Sequence, residues 1–264
     1  MSDAIGKTQT LQDVIDPARA NALLAALGKP ERLSSGDPLA PFFHHIYFWD
    51  ALAPEALGRD GHPATGGFIP DVGLPRRMWA SGKLTFHRPL LAGVRAEKIS
   101  TIESVTHKDG RSGPLAFVRI RHDIKQRHTL ALTEWQDLVY REDTPQAATT
   151  PPQAPDGETR LRHVDFDSTL LFRYSALTFN GHRIHYDEAY ARGIEGYDGL
   201  VVHGPLIAQL LMLFAVEHNG PLTKFSYRAT APLMHTERAT LCLQGRNAWA
   251  RGPDGRQLML ADFA

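Results

Sequence analysis

The feature that most constrains the fold is a long apolar run around residue 210. From His203 to Glu217 large apolar side chains occupy nearly every side of a helix, and the run ends at Asn219-Gly220-Pro221. A helix that is apolar all round has to be buried. Four segments with strand character follow it, at 223–231, 237–245, 247–251 and 257–263. This part of the chain therefore predicts one central helix wrapped by an antiparallel sheet, an α+β arrangement.

The first half of the chain has a similar strand pattern. Alternation or β-branched content predicts strands at 83–86, 97–105, 115–122 and 129–140, and Lys108-Asp109-Gly110 is a hairpin signal. The segment Lys83–Leu90 resembles Lys224–Leu233 if two residues are inserted. Self-similarity of this kind predicts that the two halves are copies of one fold.

Three further segments complete the predicted organisation. Asp16-Pro17 and an apolar stripe behind it predict a helix over 17–27. An aromatic stretch at 42–49 should pack against the sheet or line a binding tunnel, and the Gly/Pro-rich residues 58–75 should form a covering loop. Proline-rich residues 142–158 predict a linker between units 1–141 and 159–264, the second of which begins with a strand through Phe166 to Tyr174.

Composition excludes several classes of function. Lys plus Arg and Asp plus Glu both number 29, so no overall field attracts nucleic acid or an anionic membrane. The single Cys242 excludes intramolecular disulfides and is expected to fill a strand. The N-terminus has no charged segment followed by an apolar one, and no apolar run is long enough for a bilayer. We therefore expect a cytoplasmic protein without nucleic-acid or membrane partners.

Residues 174–187 concentrate the polar chemistry of the chain. Asn180, His182, His185 and Asp187 stand within eight residues, a density that is hard to justify in an ordinary strand or core. A histidine titrates near neutrality and can accept and return a proton, so His185 is a candidate general acid/base. The three titratable residues could instead ligate a metal, but their spacing suits a helix better than this segment and no fourth ligand is evident.

This segment resembles the motif of the MaoC-like hot-dog hydratases and dehydratases, Asp-x-Asn-Pro-x-His-x-Asp followed by a His-Gly that opens the central helix. His185, Asp187 and His203-Gly204 match it, whereas Asn180 stands at the position of the family's aspartate. The variant Thr178–Asp187, together with Met78–Phe86, resembles the double hot-dog branch that contains mesaconyl- and itaconyl-coenzyme A hydratases and type 2 hydroxyacyl-thioester dehydratases. The resemblance implies a double hot-dog, with two antiparallel sheets each wrapped around a central helix.

The resemblance also implies a reaction and roles for residues. The protein would add water reversibly to the double bond of an enoyl-coenzyme A, with coenzyme A as part of the substrate and with no separate cofactor or metal. His185 would be the titrating catalyst, and Asn180, which cannot titrate, would position the water. The backbone N–H of Gly204, at a helix N-terminus, would stabilise the enolate oxygen. We also expect a homo-oligomer.

Four more residues are candidates for substrate binding. Arg183 and Arg173 flank the motif, and a guanidinium could hold a free carboxylate on the acyl group; the alternative for Arg183 is a structural or phosphate contact. His203 is expected to bond backbone or line the wall. Tyr186, with Asp187, is a weaker candidate for a second acid, the alternative being local hydrogen bonding.

Two other functions remain open from the sequence. A hot-dog thioesterase would use the same fold to direct water at the thioester carbonyl. A non-catalytic acyl-thioester binding module is conceivable because position 180 lacks the carboxylate of the related motif. The absence of G-x-x-x-x-G-K-[ST], G-x-G-x-x-G and G-x-S-x-G argues against nucleotide hydrolysis, dinucleotide redox and serine-esterase chemistry.

Overall fold

The computed structural model describes residues 2–110, 113–143 and 150–264. Its ten strands form one antiparallel sheet. The strands are β1 (Thr8–Val14), β2 (Arg76–Phe86), β3 (Arg95–Gly110), β4 (Gly113–Gln126), β5 (Thr129–Arg141), β6 (Arg160–Val164), β7 (Lys224–Ala229), β8 (Ala239–Gln244), β9 (Asn247–Arg251) and β10 (Gln257–Phe263). The helices are α1 (Pro17–Ala26), α2 (Ser168–Thr178), α3 (Glu188–Gly193) and α4 (Gly204–Asn219).

The strand order shows that the halves share one plan. Across the sheet it is β1-β3-β4-β5-β2 and then β7-β10-β9-β8-β6, so each half reads the same outward from the centre. The central pair is β2 and β7, with Gly82 opposite Tyr227. These are the two strands that carry the sequence echo, and the mirrored order is what a duplicated hot-dog unit produces. The double hot-dog fold class is confirmed, and the two sheets are joined edge to edge into one.

The central helix is present in the C-terminal half. α4 packs on β7, β8, β9 and β10, and its residues Leu206, Leu211 and Phe214 are almost fully buried. Between α1 and β2 the N-terminal half has only two short 3₁₀ turns, Phe43–Ile46 and Pro54–Ala56, within the described residues 27–75. The expectation of a central helix in each half is therefore met in one half only.

The strand predicted through Phe166 to Tyr174 is wrong. β6 ends at Val164, and α2 begins after Asp167, whose carboxylate accepts a hydrogen bond of 2.7 Å from the Leu170 N–H. This is an N-cap, which fixes the start of a helix. The segment then buries Leu171, Tyr174 and Ser175, the i, i+3, i+4 spacing of a helix face. The aromatic and apolar content of the segment hid that spacing.

The other predicted elements lie close to the observed ones. The strands β1 and β6 and the short helix α3 were not predicted, and β2 begins seven residues before the predicted Lys83. Residues 58–75 form no helix or strand and contain one isolated bridge, between Leu57 and Pro63, as expected for a loop. Of the predicted linker, residues 144–149 lie outside the described residues. In the described part of the chain no helix is both long and apolar enough to span a membrane.

Candidate active site

The motif begins where α2 ends. Phe179 adopts the left-handed conformation (φ 52°) and terminates the helix, and the Asn180 N–H then donates to the Ser175 carbonyl at 2.9 Å. The Asn180 Oδ1 accepts a hydrogen bond of 3.0 Å from the His182 N–H. Asn180 also lines a cavity of about 480 Å³. The main-chain N–H and the side-chain Oδ1 of Asn180 are therefore both held by backbone groups. Its amide NH₂ group remains available to orient a water molecule.

His185 is held in a single tautomer. It lies in the 3₁₀ turn Arg183–His185, and its Nδ1 donates to the Val201 carbonyl at 2.7 Å. Because a carbonyl can only accept, the proton is on Nδ1 and the lone pair is on Nε2. Burial, with a smaller contribution from the charge of His182, lowers the pKa of His185 to about 3. The imidazole is therefore neutral at neutral pH and available as a base.

Four imidazoles form a continuous row from the cavity wall into the protein. Ring centroids are 4.8 Å apart for His62 and His182, 5.4 Å for His182 and His185, and 3.6 Å for His185 and His203. The row ends where His203 Nε2 lies 2.8 Å from the Ser175 hydroxyl. Burial lowers the pKa of each of the four histidines. His62 comes from the predicted covering loop and was not singled out from the sequence.

Gly204 opens α4, as the sequence predicts. Pro205 behind it lines the cavity, and within the described residues the Gly204 N–H donates no hydrogen bond. An unpaired N–H at the N-terminus of a 16-residue helix is oriented to stabilise negative charge on an oxygen. A Cβ at this position would meet no atom within 4 Å. Steric crowding within the protein therefore does not explain the glycine.

The two predicted arginines do not line the cavity. The guanidinium of Arg183 donates to Asp187 Oδ2 at 2.7 Å and lies over the Tyr190 ring. Arg173 is on the exposed side of α2. The expectation that one of them holds a carboxylate finds no support in this geometry.

Asp187 and Tyr186 make local contacts. Asp187 caps α3 by accepting from the Tyr190 N–H at 3.0 Å, and this bond and the one from Arg183 lower its pKa. An acid that stays ionised cannot supply a proton at neutral pH. The half-exposed Tyr186 donates its hydroxyl to the Gly181 carbonyl at 2.8 Å. The local hydrogen bonding that the sequence left open as an alternative is what the structure contains.

The covering loop is docked on the catalytic segment through its backbone. The Arg183 N–H donates to the Asp60 carbonyl at 2.9 Å. A Cβ on Gly61, which has φ +86°, would lie 2.0 Å from the Gly181 carbonyl oxygen. Only glycine allows two backbone segments to approach this closely. The N-terminal half thus closes over the motif supplied by the C-terminal half.

The cavity beside this motif has a volume of about 480 Å³. Its walls come mainly from the N-terminal half and occupy the side of the sheet where α4 packs in the other half. The aromatic segment contributes in both of the ways left open by the sequence. Phe43 and Ile46 are fully buried in the core, while His44, His45 and Phe48 line the cavity.

A polar row crosses three strands of the cavity wall. Ser100 in β3 lies opposite His122 in β4, which lies opposite Glu134 in β5. The Ser100 hydroxyl is 2.8 Å from His122 Nδ1, and His122 Nε2 is 3.2 Å from Gln136 Oε1. Burial lowers the pKa of His122 to about 4. The row was missed from the sequence, although its members alternate with the outward residues of their strands.

Glu134 accepts hydrogen bonds from two histidines. Its two carboxylate oxygens accept from His44 Nε2 at 2.9 Å and from His45 Nε2 at 3.0 Å. Burial opposes its ionisation, but the charge of His45 and these hydrogen bonds outweigh it, so the pKa of Glu134 lies well below its usual range. Burial lowers the pKa of His44 to about 4.

Among the described residues, two groups of side chains have ligand atoms close enough together for a metal ion, His44 with His45 and Glu134, and Asp60 with His62 and His182. In the first group the N···O distances of 2.9 and 3.0 Å match hydrogen bonds. The set considered from the sequence does not assemble, because the Asp187 carboxylate is engaged by Arg183 and the α3 N-terminus. No step of the chemistry below requires a metal.

Comparison with known proteins identifies the family to which this chain belongs. The model of the hydroxyacyl-thioester dehydratase type 2 family matches residues 42–235. The chain belongs to this family. It is 44% identical over 265 aligned residues to mesaconyl-C(4)-CoA hydratase of Chloroflexus aurantiacus, and the alignment covers 97% of this chain and 95% of that protein. These relatives are hydratases and dehydratases, so the chain is a hydro-lyase of the MaoC-like type.

Solved structures agree on the fold. HtdX of Mycobacterium tuberculosis superposes with a TM-score of 0.69 at 17% identity, covering 97% of this chain and 99% of HtdX. A second M. tuberculosis protein, which has a double hotdog fold, superposes with a TM-score of 0.61 at 14% identity over 98% of this chain and 95% of its own. At these identities the likeness establishes the double hot-dog fold of this dehydratase-family member and nothing about its substrate.

Proposed function

We propose that the protein catalyses the reversible hydration of an α,β-unsaturated acyl-coenzyme A, with mesaconyl- or itaconyl-coenzyme A as the substrate. The observation that carries the proposal is the state of His185. Its Nδ1–H is bonded to the Val201 carbonyl, so Nε2 is left as the proton acceptor, and Asn180 of the same motif lines the cavity. The 44% identity to a mesaconyl-C(4)-CoA hydratase along nearly the whole chain supports the choice of acyl group.

In the hydration direction, Nε2 of His185 takes a proton from a water molecule oriented by the Asn180 amide. The water oxygen forms a bond to the β-carbon, and the π electrons of the double bond move toward the thioester, where they form an enolate. The Gly204 N–H stabilises the enolate oxygen. The His185 imidazolium then returns the proton to the α-carbon, so one water is added and His185 is neutral again.

The acid/base cycle fits the lowered pKa of His185. The resting imidazole must be unprotonated to accept a proton, and burial, which lowers the pKa of His185 to about 3, favours this form at neutral pH. Once protonated in a buried site, the imidazolium is a strong acid and transfers its proton readily to the enolate carbon. Asn180 does not need to titrate in this cycle.

The test is a spectrophotometric assay of enoyl thioesters at the absorbance of the conjugated thioester, with a thiol reagent in parallel. We expect loss of absorbance, a product heavier by one water, and no free thiol. Release of free thiol would show a thioesterase instead. Binding of the thioesters without turnover would show a binding module, and either outcome would refute the proposal.

A further inference from the structure

An arginine that lines the cavity has no ion-pair partner among the described residues. Arg77 in β2 lies opposite the buried Tyr140 of β5, so its side chain is on the inner face of the sheet, and it lines the cavity. In the described part of the chain its guanidinium makes no hydrogen bond or ion pair. Its neighbour Arg76 is different, because it donates to Glu195 at 2.7 Å and is almost fully buried.

The charge of Arg77 influences two histidines of the imidazole row. After burial itself, its charge is the next largest cause that lowers the pKa of both His62 and His182. The His182 ring is 5.4 Å from that of His185. The guanidinium therefore lies near the row of imidazoles, whereas the guanidinium of Arg183 is held outside the cavity by Asp187.

The other polar groups of the wall are mostly committed. Glu134 is engaged by His44 and His45. The second cation of the wall, Lys98, lies over the Phe48 ring and is attracted by Glu134 and Asp50. The hydroxyl of Tyr174 is buried in the wall, with no hydrogen-bond partner in the described part of the chain. Because Arg77 has no such partner within the described residues, an anionic acyl group could pair with it without breaking an existing contact.

We infer that Arg77 binds the free carboxylate of a short dicarboxylic acyl group, and so determines substrate specificity. This inference rests on the proposed function and deepens it. In an enoyl thioester whose β-carbon bears a carboxylate, the charge is one bond from the carbon that water attacks. The cation that pairs with it must therefore reach the reacting end of the cavity, and Arg77 lines the cavity close enough to His62 and His182 for its charge to lower their pKa.

The pairing also assists the reaction. An unpaired carboxylate beside the β-carbon repels the developing negative charge of the attacking water and of the enolate. A guanidinium can bind both carboxylate oxygens with two parallel hydrogen bonds, which fixes the plane of the acyl group as well as its charge. Loss of Arg77 should consequently lower kcat as well as raise KM for a carboxylated substrate.

The experiment compares Arg77→Met, Arg77→Lys and wild type on mesaconyl-C4-coenzyme A and on crotonyl-coenzyme A, which has no carboxylate. Removing one partner of a buried charge pair should lower kcat/KM for the carboxylated thioester roughly 10²-fold. We expect at most a several-fold loss on crotonyl-coenzyme A, and an intermediate result for the lysine variant. Arg228→Met, on the exposed face of the adjacent β7, is the matched control and should change neither value.

Two readouts keep this test independent of the proposed function. Calorimetric binding of methylsuccinyl- and butyryl-coenzyme A, which cannot be hydrated, should show weaker binding of the carboxylated thioester alone in Arg77→Met. A thermal melt and the crotonyl-coenzyme A rate report whether the variant is folded, and Arg77→Lys replaces it if it is not. Equal losses on the paired thioesters, or no loss, would overturn the role of Arg77. A wild type that hydrates nothing but shows the binding difference would refute only the hydratase proposal.

Discussion

The two halves of the molecule share a strand order and differ in what fills their concave faces. In the C-terminal half α4 packs against four strands and excludes solvent. In the N-terminal half the corresponding space holds short turns, a docked loop and the cavity. Duplication of one fold thus supplies a rigid helix N-terminus and a histidine motif from one copy, and a pocket for the acyl group from the other.

The difference extends to the buried polar residues. The C-terminal half contributes the motif residues Asn180, His185 and Gly204, and the N-terminal half contributes the polar row and Arg77. If chemistry and recognition are divided between the halves in this way, substitutions in the two halves should affect turnover and substrate selectivity differently.

The largest effect should follow removal of the base. We expect His185→Ala to lower kcat about 10²- to 10⁴-fold, the range for loss of a general acid/base, with little change in folding. The control is His163→Ala, an exposed histidine of the same half, which should retain the wild-type rate. Near-native turnover by a folded His185→Ala enzyme would show that His185 is not the general acid/base, and would contradict the assignment of the chemistry to the C-terminal half.

Substitutions at Asn180 should give the next largest effect. Asn180→Leu removes the groups that orient water and should lose most activity, because the leucine neither donates nor accepts. Asn180→Asp should remain folded and active, since related motifs have aspartate at this position. Steady-state rates of the two variants measure the difference. Full activity in Asn180→Leu would make the residue structural.

The contact between the halves can be tested with two glycines. Gly61 and Gly66 both have positive φ, +86° and +99°, but only Gly61 faces a backbone atom, whereas nothing lies within 4 Å of Gly66. Alanine at either position carries the same conformational penalty, and Gly61→Ala must also displace the loop from Gly181. We expect Gly61→Ala to cost about 1–3 kcal/mol more unfolding free energy than Gly66→Ala and to lower activity. Equal melting curves and rates would show that this docking contributes nothing.

Acid should destabilise both halves. Burial lowers the pKa of His44, His62 and His122 in one half and of His182, His185 and His203 in the other. The unfolded chain binds protons near pH ~6.5, where these folded histidines remain neutral. The contribution of these histidines to the free energy of unfolding is therefore fully present above pH ~6.5 and is lost as the pH drops toward about 4.

Each buried histidine contributes up to about 1.4 kcal/mol per pH unit in that window. Chemical unfolding between pH 8 and pH 5 measures the slope. His122→Gln should flatten it, and His163→Gln, at an exposed position, should not. A slope that is the same in all three proteins would mean that the buried histidines do not control acid stability.

The smallest effect is expected on the outer surface. Arg173 is on the exposed side of α2 and away from the cavity wall, so Arg173→Ala should change kcat/KM for either thioester by less than about twofold. A large loss of kcat/KM confined to mesaconyl-C4-coenzyme A would indicate that Arg173, and not Arg77, binds the substrate carboxylate.

Local signals made much of the fold predictable. The apolar run of α4, the cap at Asp16 and the alternation in β8 to β10 depend on neighbouring residues, so one sequence suffices to read them. Helix α2 was misread because aromatic and apolar residues on three of its faces obscured the cap at Asp167. In the site, His185, Asn180 and Gly204 lie on adjacent segments of one motif and were identifiable from it.

The recognition side of the cavity was much harder to predict. Ser100, His122 and Glu134 are far apart in sequence and meet only through strand register, which local patterns do not determine. Their signal was a polar residue at an inward position of each strand. Arg77 gave no such signal, because Arg76 beside it has the same side chain and only the register with Tyr140 distinguishes the two.

The division between the halves is tested most directly by the ratio of kcat/KM for mesaconyl-C4-coenzyme A to that for crotonyl-coenzyme A, measured in wild type, His185→Ala and Arg77→Met. The account predicts that His185→Ala lowers both values together and leaves the ratio near that of wild type, because the base acts on either double bond. Arg77→Met should lower the ratio roughly 10²-fold. An unchanged ratio in Arg77→Met, or a ratio that collapses in His185→Ala, would contradict it.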